Sequence, residues 1–131
     1  MHRTHSDLKP DNFICFLGNG GSDVTIKLSD FGTAQCLEDR THLSRLQHVG
    51  TPGFMAPEML DADAQNVTEK TDVYLLGATL HYAITKKARH IGKNIRNIVD
   101  QIQTSKTFEY ELMVPESLAN LLNSACNKNP E

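Results

Sequence analysis

His5–Asn12, which reads HSDLKPDN, and Asp30–Gly32, which reads DFG, are the two stretches that decide the fold of this 131-residue chain. Between them lie two short runs of β-forming residues, Phe13–Phe16 and Val24–Leu28, separated by the glycine-rich sequence GNGG. Two such runs around turn residues predict a β-hairpin. Because a hairpin folds back on itself, we expect it to bring the asparagine that ends the first stretch close to the aspartate that begins the second.

Four side chains in these two stretches have complementary chemistry. Asp7 supplies a carboxylate, Lys9 supplies a cation, and Asn12 and Asp30 supply amide and carboxylate oxygens. Phosphoryl transfer requires a protein mainly to position an alcohol, to neutralise charge on the moving phosphate and to offer oxygen ligands to Mg²⁺. The four residues therefore form a candidate phosphoryl-transfer site, in which Asn12 and Asp30 are the metal ligands.

Two further motifs follow in the chain. Gly50–Glu58 reads GTPGFMAPE, and Thr71–Tyr74 reads TDVY, with Gly77 shortly after it. With HSDLKPDN and DFG they resemble, in the same order, the catalytic loop, the metal-binding triplet, the substrate-docking segment and the start of the central F helix of eukaryotic-type Ser/Thr protein kinases. Small-molecule phosphotransferases related to aminoglycoside and choline kinases also show H-x-D-x-x-x-x-N followed by a metal-binding Asp. They lack the APE segment, which makes them the less favoured alternative.

The resemblance implies a role for each candidate residue, ATP and Mg²⁺ as cofactors, and a protein as the substrate. Asp7 would act on the substrate hydroxyl as a base or orienting group, and Lys9 would contact the transferred phosphate. Asn12 and Asp30 would bind magnesium, and Ile14 would contact the adenine ring. The Thr51 hydroxyl would form a hydrogen bond with the catalytic Asp and Lys. Asp72 would cap the F helix and support the backbone of the catalytic loop.

By the same resemblance the fold is α+β and mostly helical: the large, C-terminal lobe of a kinase, with a small β-hairpin and without the N-terminal lobe. Residues 1–131 would form a partial kinase domain, from the catalytic loop to the H-helix region. Thr33–Met55 shows no regular period and predicts a long loop, whereas Thr71–Thr85 is apolar on nearly every side and predicts a helix buried all round. Apolar residues at helical spacing in Ile95–Ile102 and Leu118–Ala125 predict two surface helices.

The sequence departs from the kinase pattern at positions that bear on activity. Ser6 stands where most regulated kinases carry an arginine, and Gln47 stands at the usual phosphoacceptor position, so we expect no requirement for phosphorylation there. No G-x-G-x-x-G precedes the catalytic loop, and the arginine that would pair with Glu58 falls beyond Glu131. We therefore expect the isolated chain to be inactive and marginally stable, and to expose an apolar flank of the F helix. The competing hypothesis is a pseudokinase or a non-catalytic fragment that acts as a binding module.

Composition and charge argue against several other classes. The formal net charge is -3 and Lys and Arg form no basic stripe, so we expect no nucleic-acid partner. The chain has 3 cysteines and no C-x-x-C pair, which argues against a disulfide framework and a zinc site. No apolar run approaches the roughly 18 residues of a membrane span. We expect an intracellular, cytoplasmic protein with no membrane partner, in which Lys86, Lys87 and Arg89 form a solvated helix end.

Overall fold

The computed structural model describes residues 3–36, 50–60, 67–104, 110 and 114–127. In this part of the chain the strands are β1 (Arg3–Thr4), β2 (Phe13–Leu17), β3 (Val24–Leu28) and β4 (Gln35–Cys36), and the helices are α1 (Glu69–Thr85), α2 (Ile95–Thr104) and α3 (Glu116–Ala125). Single turns of 3-10 helix lie at Pro10–Asn12, Phe31–Thr33 and Pro57–Leu60. The predicted α+β character, with more helix than strand, is confirmed.

Strands β2 and β3 form the predicted hairpin. They pair antiparallel over all five residues of each strand. The Gly18 N–H closes the turn by donating to the Asp23 carbonyl at 2.8 Å. Gly20 and Gly21 have φ angles of 102° and 74°, in a region that L side chains rarely adopt. The turn therefore requires the glycine run at this place in the sequence.

A second antiparallel pair, β1 with β4, joins the chain just before HSDLKPDN to the chain just after DFG. Its register places Thr4 opposite Gln35. The sequence pattern did not predict this pair, because two residues per strand are too few to show an alternating period. Strand β4 lies inside the predicted loop Thr33–Met55, so the loop begins later than expected. Residues 37–49 of that loop, Gln47 among them, lie outside the described part of the chain.

Helix α1 begins with a capping box. The Thr68 hydroxyl accepts a hydrogen bond from the Lys70 N–H at 3.2 Å, and the Thr68 N–H donates to the Thr71 hydroxyl at 3.1 Å. These bonds satisfy backbone donors that have no partner inside the helix. The expectation that Asp72 caps this helix is therefore wrong, because Asp72 lies within the first turn and its carboxylate contacts a different part of the chain.

Only one side of α1 is buried. Tyr74, Leu75 and Ala78 are at most 4% exposed, whereas Val73 and Leu76 are 50% and 40% exposed. The prediction of a helix buried all round is therefore wrong for this chain, and the predicted exposure of an apolar flank is confirmed. An apolar sequence shows how much surface a helix can bury, but it does not show what covers each side.

Helices α2 and α3 are one-sided surface helices, as their residue spacing predicts. Among the side chains that the structure describes, Ile102 in α2 and Leu122 in α3 are almost completely buried. The end of α3 approaches α1 at Gly77, where an added Cβ would lie 2.7 Å from the Cys126 Sγ and 3.0 Å from the Ala125 Cβ. Glycine is therefore what allows the close contact between these two helices. None of the helices in the described residues has the length and apolar character needed to cross a bilayer.

A buried polar cluster lies between α1 and the segment that follows it. His81, Arg89 and His90 are each at most 7% exposed. The Tyr74 hydroxyl and His90 Nε2 are 2.9 Å apart, and His81 Nδ1 lies 3.1 Å from the Tyr110 hydroxyl. The prediction of a solvated helix end is therefore wrong for Arg89, and it is confirmed for the two lysines before it, which are exposed.

Candidate active site

Helix α1 holds the backbone of the catalytic-type loop His5–Asn12. The N–H groups of His5 and Ser6 donate to the two carboxylate oxygens of Asp72, at 2.7 and 2.9 Å. Hydrogen bonds to a charged acceptor are stronger than those between neutral groups. They fix Ser6 at a φ of 66°, in the left-handed region, which costs a residue with a Cβ about 1–2 kcal/mol. The predicted support of this loop by Asp72 is confirmed.

Three predicted site residues contact Asp7, which is 9% exposed. Lys9 Nζ lies 2.9 Å from Asp7 Oδ2. The Asn12 amide nitrogen donates to the Asp7 backbone carbonyl at 2.8 Å and lies 3.5 Å from Oδ2. From the other side, the Thr51 hydroxyl donates to Oδ1 at 3.5 Å. The fold thus brings Asp7, Lys9, Asn12 and Thr51 into one cluster.

The surroundings of Lys9 keep its ammonium group charged. Its hydrogen bond to Asp7 is the main cause that raises the pKa of Lys9; burial opposes this change, and the charges of Asp7, Asp11 and Asp30 add to it. An ammonium group has three donors, so the bond to Asp7 leaves others for an anionic ligand. Lys9 can therefore donate to a phosphate oxygen while it contacts the carboxylate.

Ser29 joins the entrance of the hairpin to its exit. Its N–H and its hydroxyl both donate to the Asn12 carbonyl, at 2.8 and 3.0 Å. Asp30 follows at once with a φ of 59°, and one of its carboxylate oxygens accepts a hydrogen bond from the Gly32 N–H at 3.4 Å. These two bonds of Ser29 hold the residue before Asp30 against the backbone of Asn12, so the two predicted metal ligands lie at the same end of the hairpin.

Asn12 and Asp30 have the donor atoms that suit Mg²⁺. The amide nitrogen of Asn12 faces Asp7, which leaves its oxygen as a ligand, and Asp30 is exposed with a carboxylate. Mg²⁺ prefers oxygen ligands and commonly binds one or two side chains together with waters and substrate phosphates. The donor set therefore fits a magnesium ion shared with a phosphate-bearing ligand.

His5 and Ser29 belong to this site, although the sequence pattern assigns neither of them a role. His5 Nε2 lies 3.0 Å from the Ser29 carbonyl oxygen, and the His5 ring meets the Phe31 ring edge-on at 5.0 Å. The Thr33 hydroxyl donates to the His5 carbonyl at 2.8 Å. Together these contacts tie the first motif to the DFG motif. The two motifs are visible in the sequence, but their points of contact depend on the register of the hairpin.

Ile14 lies on β2, two residues beyond Asn12, and is 46% exposed. Its neighbour across the hairpin is Lys27. The strand therefore presents an apolar side chain close to the candidate metal ligands, at the position where the resemblance implies contact with an adenine ring.

The GTPGFMAPE segment is anchored on the first turn of α1. The Phe54 N–H donates to the Thr51 carbonyl at 2.9 Å, and the Thr71 hydroxyl donates to Glu58 Oε1 at 2.8 Å. Glu58 is half-buried, and the Thr71 hydroxyl is a hydrogen-bond partner of its carboxylate. This anchoring fixes the segment that places Thr51 beside Asp7.

A family model described as the protein kinase domain matches residues 1–131. The chain belongs to the protein kinase family. Its kinase relatives include the G2-specific protein kinase nimA of Emericella nidulans, which is 29% identical over 127 residues, covering 97% of this chain and 17% of that protein. A probable serine/threonine-protein kinase of Dictyostelium discoideum is 30% identical over 131 residues, covering 96% of this chain and 17% of that protein. The serine/threonine-protein kinase pakB of the same organism is 42% identical over 77 residues, covering 59% of this chain and 8% of that protein.

Membership of the kinase family confirms the resemblance that the motifs show. Kinases of this family generally use ATP and Mg²⁺, which agrees with the oxygen ligands and the cation of the site. The kinase chain spans 17% of the length of the first two relatives.

Proposed function

We propose that this chain carries the catalytic residues of a Ser/Thr protein kinase. It forms most of the large, C-terminal lobe, as a partial kinase domain over residues 1–131, and the protein that contains it transfers the γ-phosphate of ATP to a Ser or Thr hydroxyl of a protein substrate. The observation that carries the proposal is the set of contacts, 2.8–3.5 Å long, that join Lys9, Asn12 and Thr51 to Asp7.

Asp7 is the residue that faces the substrate hydroxyl. One of its carboxylate oxygens contacts Lys9 and the other contacts Thr51, so the carboxylate is held in one orientation. It orients the hydroxyl and accepts its proton as the new O–P bond forms, while the bond between the γ-phosphorus of ATP and its bridging oxygen breaks and ADP leaves. Lys9 donates to an oxygen of the transferred phosphate and offsets the charge on it.

Asn12 and Asp30 would hold Mg²⁺, which would neutralise charge on the ATP phosphates, and Ile14 would contact the adenine ring. Protein kinases also bind the ATP phosphates with a glycine-rich loop and a lysine on a strand. The 131 residues contain no G-x-G-x-x-G sequence. ATP therefore meets only part of its binding site on this chain, and the isolated chain transfers no phosphate.

The role of Asp7 predicts the behaviour of Asp7→Asn in the full-length protein that carries this chain. The substitution keeps the shape of the side chain and removes the base, so we expect kcat to fall by about 10²- to 10⁴-fold. The KM for ATP changes little, because Asp7 is not an ATP ligand. The measurement is transfer of radiolabelled phosphate from ATP to a Ser/Thr peptide mixture.

Asp23→Asn is the matched control, since it makes the same chemical change at an exposed turn of the hairpin. It should keep the kcat of the unmodified protein. Equal activity of Asp7→Asn and the unmodified protein, or an equal loss in Asp23→Asn, would contradict the proposed role.

A second candidate function is a non-catalytic binding module. It is favoured by the exposed apolar side chains of the hairpin, among them Leu17, Val24 and Ile26, which are 58–73% exposed. The same assay separates the two candidates. Phosphate transfer by the full-length protein supports the kinase, and a full-length protein that binds its partner without any transfer supports the binding module.

A further inference from the structure

We propose that Thr79 is a positioning residue for the catalytic loop, which it holds through the backbone carbonyl of Leu8. The inference rests on the proposed kinase function. Thr79 lies inside α1 and is 6% exposed. Its hydroxyl oxygen is 3.2 Å from the Leu8 carbonyl oxygen and 2.9 Å from the Leu75 carbonyl oxygen.

Thr79 and Asp72 face the same side of α1. They are seven residues apart, which makes about two turns at roughly 3.6 residues per turn. Asp72 accepts hydrogen bonds from the N–H groups of the two residues before Asp7, His5 and Ser6. Thr79 donates to the carbonyl of Leu8, the residue after Asp7. The helix therefore holds the loop backbone on both sides of the proposed catalytic residue.

The simpler interpretation of Thr79 is a local helix contact. A threonine inside a helix commonly donates to the carbonyl four residues earlier, and the contact with Leu75 is of this kind. The contact with Leu8 spans 71 positions of sequence, so a local preference does not explain it. The single hydroxyl proton lies between the two carbonyls. The Thr79 hydroxyl therefore supplies a hydrogen-bond donor to the Leu8 carbonyl.

The Leu8 carbonyl belongs to the same planar peptide unit as the Lys9 N–H. A rotation of this unit changes the direction in which the Lys9 side chain leaves the backbone, and with it the 2.9 Å contact between Lys9 and Asp7. A displacement of about 1 Å caused by a distant substitution can lower a rate by roughly 10²-fold. Loss of the Thr79 hydroxyl should therefore slow the transfer of phosphate without weakening ATP binding.

Thr79→Val and Thr79→Ser in the full-length protein distinguish the effect of the hydroxyl group on kcat from the effect of side-chain packing. Valine keeps the branched shape and removes the donor, whereas serine keeps the donor and removes a methyl group. We expect Thr79→Val to lower kcat by about tenfold and to keep the KM for ATP within about twofold. Thr79→Ser should restore kcat to within about twofold of the unmodified protein. Thermal unfolding of each variant verifies that the comparison is made between folded proteins.

Two results overturn the inference while the kinase function stands: an unchanged kcat in Thr79→Val, or an equal loss of kcat in Thr79→Ser. If Thr79→Val does not fold, Thr79→Ala takes its place, since it also lacks the hydroxyl, and the same expectations apply. A full-length protein without any phosphate transfer overturns the proposed kinase function, and the role of Thr79 with it. That outcome is distinguishable from an active kinase that tolerates the loss of the hydroxyl.

Discussion

At Ser6 the backbone adopts a conformation that serine disfavours by itself. Its φ of 66° belongs to the left-handed region, where the Cβ of an L residue approaches the following carbonyl oxygen. Asp72 offsets this cost, because it accepts hydrogen bonds from the N–H groups of Ser6 and of the residue before it. The shape of the loop around Asp7 therefore depends on one carboxylate in α1.

This dependence predicts the effect of Asp72→Asn on stability. Asparagine offers one acceptor oxygen and turns an N–H₂ group towards a backbone N–H, so one buried donor is left without a partner. We expect the free energy of unfolding to fall by about 1–3 kcal/mol, measured by urea unfolding of the 131-residue chain. Asp100→Asn makes the same change at an exposed position of α2, and it should alter the free energy by less than about 0.5 kcal/mol. Equal effects of the two substitutions would show that Asp72 has no special role.

The sequence motifs and the resemblance predicted which side chains gather around Asp7 and that Asp72 supports the loop backbone, but they did not predict the other contacts that hold the loop. Lys9 and Asn12 are close to Asp7 in sequence, and the resemblance supplied Thr51. The contributions of Ser29 and Thr79 could not be read from the sequence, because both act on backbone carbonyls of residues far away in the chain. A serine or threonine hydroxyl can donate to many carbonyls, and only the packed structure selects one.

At the scale of elements, the close approach of α1 and α3 depends on Gly77. An added Cβ would lie 2.7 Å from the Cys126 Sγ and 3.0 Å from the Ala125 Cβ, closer than real side chains approach. The sequence pattern does not show this requirement, because a single glycine in an apolar helix predicts only a small loss of helix stability. The register between two helices that are distant in sequence makes the glycine necessary.

Gly77→Ala should therefore destabilise the chain, although alanine has the higher helix propensity. We expect a loss of about 1–3 kcal/mol in the free energy of unfolding from overpacking. Cys126→Ala removes the nearest atom, so the double variant should lose less than the sum of the two single variants. Urea unfolding of the four proteins measures this difference. Additive losses, or a stabilising Gly77→Ala, would show that the contact between the helices is not tight at this point.

Short strands and helix caps were the elements that the sequence predicted least well. The hairpin of β2 and β3 was predictable, because turn residues and two apolar runs indicate it independently. Strands β1 and β4 have two residues each, so their pairing leaves no pattern. At the start of α1 several polar residues could act as the cap, and the geometry of Thr68 decides between them.

At the scale of the whole molecule, the buried cluster around Arg89 makes stability depend on pH. Burial, with the positive charge of Arg89 as a smaller cause, lowers the pKa of His81 and of His90 from 6.5 to about 4. Below pH 6.5 the unfolded chain binds protons on both rings, whereas the folded chain keeps them neutral down to about pH 4. The free energy of unfolding should therefore fall as the pH is lowered from 6.5 towards 4.

Urea unfolding at pH 7, 6 and 5 tests this dependence. Each unit of difference in pKa between the unfolded and folded states corresponds to about 1.4 kcal/mol. The urea concentration at the midpoint of unfolding should therefore be clearly lower at pH 5 than at pH 7. The variant His81→Gln/His90→Gln has no ring to protonate at either position, and its midpoint should vary less with pH. The same midpoint at pH 7 and pH 5 in the unmodified chain would contradict the prediction.

The bonds from His5 and Ser6 to Asp72 join positions that are 67 and 66 residues apart. During synthesis on the ribosome, the loop that contains Asp7 leaves the exit tunnel long before α1 exists. It has no support at that stage, so the catalytic geometry cannot form until the later half of the chain has emerged and become helical. Activity should therefore arise late in biosynthesis. A truncated mRNA that ends before α1 would yield a polypeptide that contains HSDLKPDN but lacks the loop conformation that Asp72 holds.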